Sequence, residues 1–224
     1  IYHEMLTHVP MLAHGAVKSV LIIGGGDGGM LREAVRHASI ERIVMVEIDE
    51  GVVTFSKEYL PGVSAGAFDD PRLDLVIADG ADYMRDGTEQ FDLIIVDSTD
   101  PVGPGEVLFT DHFYGHASRR LRQGGVLVTQ NGVPFMQSGE LKGTMRAFRS
   151  LFQVATCYLA TVPTYVGGPM AFGFGTDNPA LLQVTAAELE ARQKAAGLQT
   201  RYYTPDVHKG AFALPGYVQS LVDV

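Results

Sequence analysis

The chain has 224 residues, 46% of them hydrophobic and 19% charged, and its 17 Lys+Arg against 26 Asp+Glu give a formal charge of −9. Such a composition excludes a disordered chain and suits one generous domain with a substantial core. An acidic chain without a basic run fits a nucleic-acid backbone poorly and a cationic small molecule better.

The first residues, Ile1-Tyr2-His3-Glu4, carry neither an initiator Met nor a signal-peptide pattern, so the chain reads as a piece of something longer. Val17–Ile23 predicts a strand that runs into the glycine cluster Gly24–Gly29, and Met30–His37 has apolar residues at helical spacing. Arg42–Ile48 predicts a second strand, Glu50–Tyr59 a helix ended by Pro61, Leu73–Ala78 a third strand and Phe91–Val96 a fourth. A loop rich in Pro and Gly covers Ser98–Glu106, and Asp111 is the expected N-cap of a helix reaching Leu121. Gly125–Gln130 predicts a fifth strand, Glu140–Phe152 an amphipathic helix, and Gln153–Thr161 and Met170–Gly175 two closing strands. Thr185–Ala196 predicts a late helix, opened by a capping-box pattern of Thr185 and Glu188. The single Cys157 excludes an intrachain disulfide and suits a reducing, cytoplasmic compartment. No apolar run reaches the ~18 residues of a membrane-spanning helix, and no membrane association is expected.

This alternation predicts an α/β fold, a doubly wound and mostly parallel sheet with helices on both faces and an antiparallel edge. No repeat or linker divides the chain, so one domain over residues 1–224 is expected.

In such sheets ligands sit at the carboxyl ends of the strands, near the switch point. Gly24-Gly25-Gly26-Asp27-Gly28-Gly29 lies there and lets the backbone approach a ligand closely. Glu47 follows Gly28 by 19 residues at the end of the second strand, where an acid accepts both hydroxyls of an adenosine ribose. Dinucleotide folds would put Asp27 inside the phosphate turn, where a carboxylate repels pyrophosphate. A G-x-G-x-G turn formed by Gly24, Gly26 and Gly28 instead fits an adenosyl sulfonium, whose cation an acid favours. Asp27 suits a sulfonium ligand lacking the amino-acid carboxylate better than intact S-adenosylmethionine.

Asp97 ends the fourth strand within FDLIIVDSTDP, and Asp100 follows three residues on. With Asp27, Glu47 and Asp79 the pair would put five acids on one pocket, which repel unless cations fill it. No Lys or Arg falls on these strand ends, so a polycationic substrate is the expectation. The glycines and Pro104 of Val102–Glu106 give a loop able to close over the ligand.

Tyr2-His3-Glu4-Met5, GGGDGG, VEID (Val46–Asp49), DDPR (Asp69–Arg72), DSTDPVGP (Asp97–Pro104), PTYVGG (Pro163–Gly168) and Arg201-Tyr202-Tyr203 together resemble the spermidine synthases, essentially from Ile1 to the C-terminus. DSTDPVGP and the PTY segment are specific to the polyamine aminopropyltransferases, whereas the glycine loop is shared with methyltransferases. The resemblance implies the Rossmann-like fold of the S-adenosylmethionine-dependent methyltransferases. It also implies transfer of an aminopropyl group from decarboxylated S-adenosylmethionine, a co-substrate, to putrescine, giving spermidine and methylthioadenosine without a prosthetic group or metal. By match to the family motif, Asp97 is the proton acceptor, Asp100 anchors the diamine and Asp27 holds the aminopropyl amine. Glu47 takes the ribose, and Asp79 with Gly80 takes the adenine amino group. Tyr2 and Tyr165 line the diamine channel, His3 lies near the substrate amines, and Pro104 belongs to the closing loop. Residues 1–16 are the lead-in to that channel. Relatives carry a small N-terminal β domain ahead of Tyr-His-Glu-Met, expected to be absent here, which supplies much of a homodimer or homotetramer interface.

An alkylamine of pKa near ~10.4 cannot simply hand its proton to an ordinary Asp at about 3.9, a step uphill by roughly 9 kcal/mol. The expectation is that the site takes the minor neutral amine and Asp97 accepts the proton as the N–C bond forms. Three competing readings stand beside this one: an S-adenosylmethionine methyltransferase, an aminopropyltransferase with another acceptor amine, and an inactive nucleoside-binding fragment. Gly132-Val133, where some relatives place an acid, leaves the acceptor open. His3, His8 and His14 do not share a helix face, so no metal site is expected of them. Cys157 reads as a buried thiol, and Tyr202 and Tyr203 as packing either the sheet edge or the channel.

Overall fold

In a computed structural model of the chain, which describes residues 1–99, 101 and 103–223 and only the backbone of Pro104, the strands form one seven-stranded sheet. They are β1 (Ser19–Gly24), β2 (Arg42–Glu47), β3 (Leu73–Ile77), β4 (Phe91–Asp97), β5 (Leu121–Gln130), β6 (Val154–Ala160) and β7 (Met170–Thr176). Their order is β3-β2-β1-β4-β5-β7-β6; β1 to β5 run parallel and β7 runs against both β5 and β6. The predicted doubly wound sheet with an antiparallel edge is therefore the observed one. Asp100 and Val102 lie outside the described residues.

Side chains alternate across a strand, and this period of two builds a core on each face of the sheet. Val20 and Ile22 of β1, with Leu93 and Ile95 of β4, face one core, packed by α1 (Tyr2–His14) and α2 (Gly29–Val35). Leu21, Ile23, Ile94 and Val96 face the other, packed by α6 (Asp111–Arg119), α7 (Ser138–Leu151) and α10 (Gly216–Val222). Between these come α3 (Glu50–Tyr59), α4 (Pro61–Ser64), α5 (Gly80–Asp86), α8 (Ala186–Ala195) and α9 (Pro205–Ala211).

Several boundaries differ from the sequence reading, for local reasons. Thr110, not Asp111, caps α6, because its hydroxyl accepts the Phe113 N–H. The fifth strand begins at Leu121, before the predicted Gly125; its register against β4 shifts between Leu121 and Val126, where Arg122 and Gln123 are exposed. The last part of the Ser98–Glu106 loop is a 3-10 helix, Gly103–Phe109. The capping box of Thr185 and Glu188 is present at α8. Cys157 is fully buried, and desolvation pushes its thiol up to about 12. No described helix is long and apolar enough to cross a membrane.

The lead-in segment is a helix, α1, buried along most of its length from Glu4 to Ala13. It lacks a side-chain N-cap, but Arg192 donates to the carbonyls of Leu12 and Ala13 at its other end, supplying positive charge where the helix dipole favours it.

Candidate active site

The strand order reverses between β1 and β4, and a cavity of about 520 Å³ opens at their carboxyl ends. Gly24 pairs with Asp97 in the β1–β4 ladder, and the Gly25 N–H donates to the Asp97 carbonyl at 3.2 Å. Gly24 has φ 82°, and a Cβ there would overlap the same carbonyl, so only glycine lets the two strand ends meet. One turn on, a Cβ at Gly26 would sit 2.8 Å from Glu47 Oε2, the oxygen that accepts the Gly26 N–H at 3.0 Å. Glu47 Oε1 accepts the Asp49 N–H at 3.1 Å, so the backbone holds this buried carboxylate at the end of β2.

Asp97 stands partly buried on the cavity wall, its Oδ1 accepting the Tyr2 hydroxyl at 2.6 Å. Desolvation raises its pKa to about 6, against the pull of the Tyr2 hydrogen bond. The Tyr2 phenol is driven well above its ordinary value by burial and by the facing carboxylate. Asp27 is set differently. Burial opposes its charge, but the His3 imidazole 3.4 Å away and the Gly29 N–H at 2.7 Å prevail and hold it below the usual carboxylate range. Asp79 caps α5, its Oδ1 accepting the Ala81 N–H at 2.7 Å, and also lines the cavity.

The predicted residues Tyr2, His3, Gly24, Gly26, Asp27, Glu47, Asp79, Gly80, Asp97 and Tyr165 all line this one cavity. Gly28 does not; it caps α2 at φ 75°, where a Cβ would meet Ser64 and Phe68. Asp100 lies outside the described residues, as does the Pro104 side chain, although Gly105, Val107 and Leu108 of the 3-10 helix form a wall. Tyr165 is about half exposed, its ring 6.3 Å from that of Tyr2.

Sequence reasoning missed Ile48, Val52, Val107 and Leu108, which with Ile23 and Val46 make up the aliphatic part of the lining. Ile48 directly follows β2 and Val52 lies in the first turn of α3, and both stay exposed. Asp49 joins Asp27, Glu47, Asp79 and Asp97, so five acids line the cavity, and no Lys or Arg does so among the described residues. A larger hollow of about 680 Å³ between α8 and α9 mixes Lys194 with Glu190 and Asp206 on an open surface.

The three N-terminal histidines part company: His3 faces Asp27, His8 joins Glu33 and His37, and His14 accepts the Ala16 N–H. Tyr203 is buried, its hydroxyl 3.0 Å from His208 Nδ1, so it packs the core rather than the cavity.

Residues 1–185 match the spermine/spermidine synthase domain family. The chain is 69% identical over 221 residues to a polyamine aminopropyltransferase of Ruegeria sp., covering 99% of this chain and 78% of that one. It is 57% identical over 218 residues to polyamine aminopropyltransferase 1 of Pseudomonas aeruginosa, covering 97% and 76%. Among solved structures, a spermidine synthase in complex with the transition-state analogue AdoDATO superposes with a TM-score of 0.92 at 38% identity, over 99% of this chain and 75% of that one. The spermidine synthase of Thermotoga maritima gives 0.88 at 36% identity, over 99% and 73%.

Proposed function

Because the chain belongs to the spermine/spermidine synthase family and is by kinship a polyamine aminopropyltransferase, we propose that it transfers the aminopropyl group of decarboxylated S-adenosylmethionine to putrescine, giving spermidine and methylthioadenosine. One observation carries the reading: five carboxylates and no Lys or Arg converge, among the described residues, on a cavity floored by a glycine turn. Acids so grouped repel one another until cations enter, and a sulfonium with its aminopropyl ammonium, followed by a diamine, supplies them.

In this reading Glu47 holds the ribose hydroxyls and Asp79 with Gly80 the adenine edge. The backbone turn of Gly24 and Gly26 accepts the nucleoside, and Gly28 shapes that turn from behind. Asp27 holds the aminopropyl ammonium, a role suited to a carboxylate that stays ionised. Tyr2, His3 and Tyr165 line the path of the diamine, which Asp100 anchors, and Pro104 closes over the site. The diamine nitrogen forms a bond to the methylene beside the sulfonium as the carbon–sulfur bond breaks; the sulfur leaves with the bonding pair as a neutral thioether, and the proton of the new ammonium passes to Asp97. With Asp97 at about 6, the gap to an alkylamine at ~10.4 narrows to roughly 6 kcal/mol, which desolvation and the adjacent sulfonium have to supply.

Product analysis with decarboxylated S-adenosylmethionine and a panel of amines tests the assignment. Methylthioadenosine with spermidine, fastest from putrescine, is the expected result. Adenosylhomocysteine from intact S-adenosylmethionine, or nucleoside binding without any transfer, overturns it.

A further inference from the structure

Glu4 is buried on the first turn of α1, next to His3 and two residues from Tyr2, yet its carboxylate points away from the cavity. Its Oε1 accepts the Arg201 N–H at 2.8 Å, and its Oε2 accepts the N–H groups of Tyr202 and Tyr203, each at 2.8 Å. No Lys, Arg or His forms an ion pair with it among the described residues. Three amides alone therefore carry a buried charge, a charge-assisted arrangement stronger than neutral hydrogen bonds. Burial opposes that charge, and the three amides outweigh it, holding the carboxyl below its usual range.

The clasp holds an otherwise weakly fixed helix start. Ile1 gives α1 no side-chain cap, so only its carbonyl, which accepts the Met5 N–H at 3.0 Å, ties the N-cap to the turn. The segment that Glu4 grips is itself firmly seated, because Tyr203 is buried and bonded to His208, and Thr200 donates to the Tyr203 carbonyl at 2.7 Å. Tyr158 steadies the next residue, donating to the Met5 carbonyl at 3.1 Å. On its other side the same turn delivers the Tyr2 hydroxyl to Asp97 at 2.6 Å and lays the His3 ring against Gly29 within reach of Asp27. A 2.6 Å hydrogen bond has little room for drift of the helix that presents its donor.

We propose that Glu4 is a positioning residue for the amine half of the site: its clasp on residues 201–203 sets the first turn of α1 and thereby holds Tyr2 on Asp97. The kinetic consequence rests on the aminopropyl-transfer reading; the geometric one does not. Gln at this position keeps the shape but turns an NH2 group toward at least one backbone N–H, which breaks the clasp.

The test compares Glu4→Gln, Tyr2→Phe and the double variant. Glu4→Gln is expected to lower kcat/KM for the amine about tenfold while methylthioadenosine affinity stays within about twofold. Added to Tyr2→Phe, it costs little more, since both remove one interaction. Full additivity or unchanged kinetics in Glu4→Gln overturns the proposal. Where Glu4→Gln fails to fold, Glu4→Asp, which keeps the charge and withdraws the oxygens by one methylene, shows the same pattern at smaller size. Should the unsubstituted chain transfer no aminopropyl group, the functional reading fails, and the Tyr2 ring resonance judges the geometry on its own. It moves toward a free phenol in Glu4→Gln if the clasp holds Tyr2 on Asp97; an unmoved resonance overturns the inference.

Discussion

The Tyr2 hydroxyl donates to Asp97 Oδ1 at 2.6 Å across 95 positions of sequence, joining the first turn of α1 to the end of β4. That bond lowers the Asp97 pKa, while desolvation, the larger influence, raises it, and the balance falls at about 6. The phenol, driven far above its ordinary pKa, stays protonated and keeps donating at any working pH.

The sign for Tyr2→Phe follows. Asp97 accepts a proton only when ionised, so activity falls as pH drops through about 6. Removing the hydroxyl takes away a stabilising bond to the carboxylate and leaves the desolvation, so the acid limb of the kcat/KM profile moves to higher pH. A limb that stays in place shows that Asp97 is not the group titrating there.

Asp97→Asn keeps the shape and still offers an oxygen to Tyr2, so the fold and the nucleoside site are expected to survive. Turnover is expected to fall by about 10²- to 10⁴-fold, the range of a lost general base, with methylthioadenosine affinity nearly unchanged. Single-turnover measurements with putrescine separate the two quantities, and near-normal turnover contradicts the proton-acceptor role.

The β/α alternation was legible because its strands are continuous apolar runs and their carboxyl ends carry Gly24, Glu47, Asp79 and Asp97 at motif spacing. Helix α1 was not, since it is buried almost all round, contains Pro10 and has no capping side chain, leaving neither an amphipathic period nor a start signal. Contacts with distant partners were equally hidden: nothing near Glu4 in sequence points to residues 201–203, nor near His8 to Glu33 and His37. The resemblance put Tyr2 at the channel, but its bond to Asp97 emerges only from the packing of α1 across the sheet.

Gly24→Ala is expected to cost about 2 kcal/mol or more, because a side chain at φ 82° is strained and its Cβ meets a backbone carbonyl that cannot swing aside. Since that carbonyl belongs to Asp97, turnover falls as well. Gly62→Ala is the control: it lies in α4, with nothing within 4 Å of an added Cβ, and is expected to be neutral or slightly stabilising. Urea midpoints of the two variants check both, and equal shifts contradict the close approach of Gly24 to Asp97.

Behind the site, His37, His8 and Glu33 form a buried relay, with His8 Nδ1 2.9 Å from His37 Nε2 and His8 Nε2 3.0 Å from Glu33 Oε2. One assignment satisfies all three: His37 donates to His8, and His8 donates to the carboxylate. Burial, with the neighbouring His8 and Arg36, lowers His37 from 6.5 to about 3, and burial with Lys209 and Arg192 lowers His208 from 6.5 to about 4. Burial acts the other way on Glu33, but His8, Arg32 and Arg36 prevail and lower it from 4.5 to about 2. Each depressed group lets the unfolded chain bind a proton that the folded chain refuses, so stability is full above the unfolded pKa and is lost as pH falls. The two histidines erode stability from about 6.5 downward and Glu33 joins from about 4.5, each fully titrating group adding about 1.4 kcal/mol per pH unit. Asp97, raised from 3.8 to about 6, takes up its proton in the folded chain and offsets one histidine between those values. Denaturant titrations between pH 8 and 4 are expected to show a plateau that bends down below about 6.5, with His37→Gln giving a shallower slope between 6.5 and 4.5. An unchanged slope in that variant means that His37 takes up its proton without unfolding.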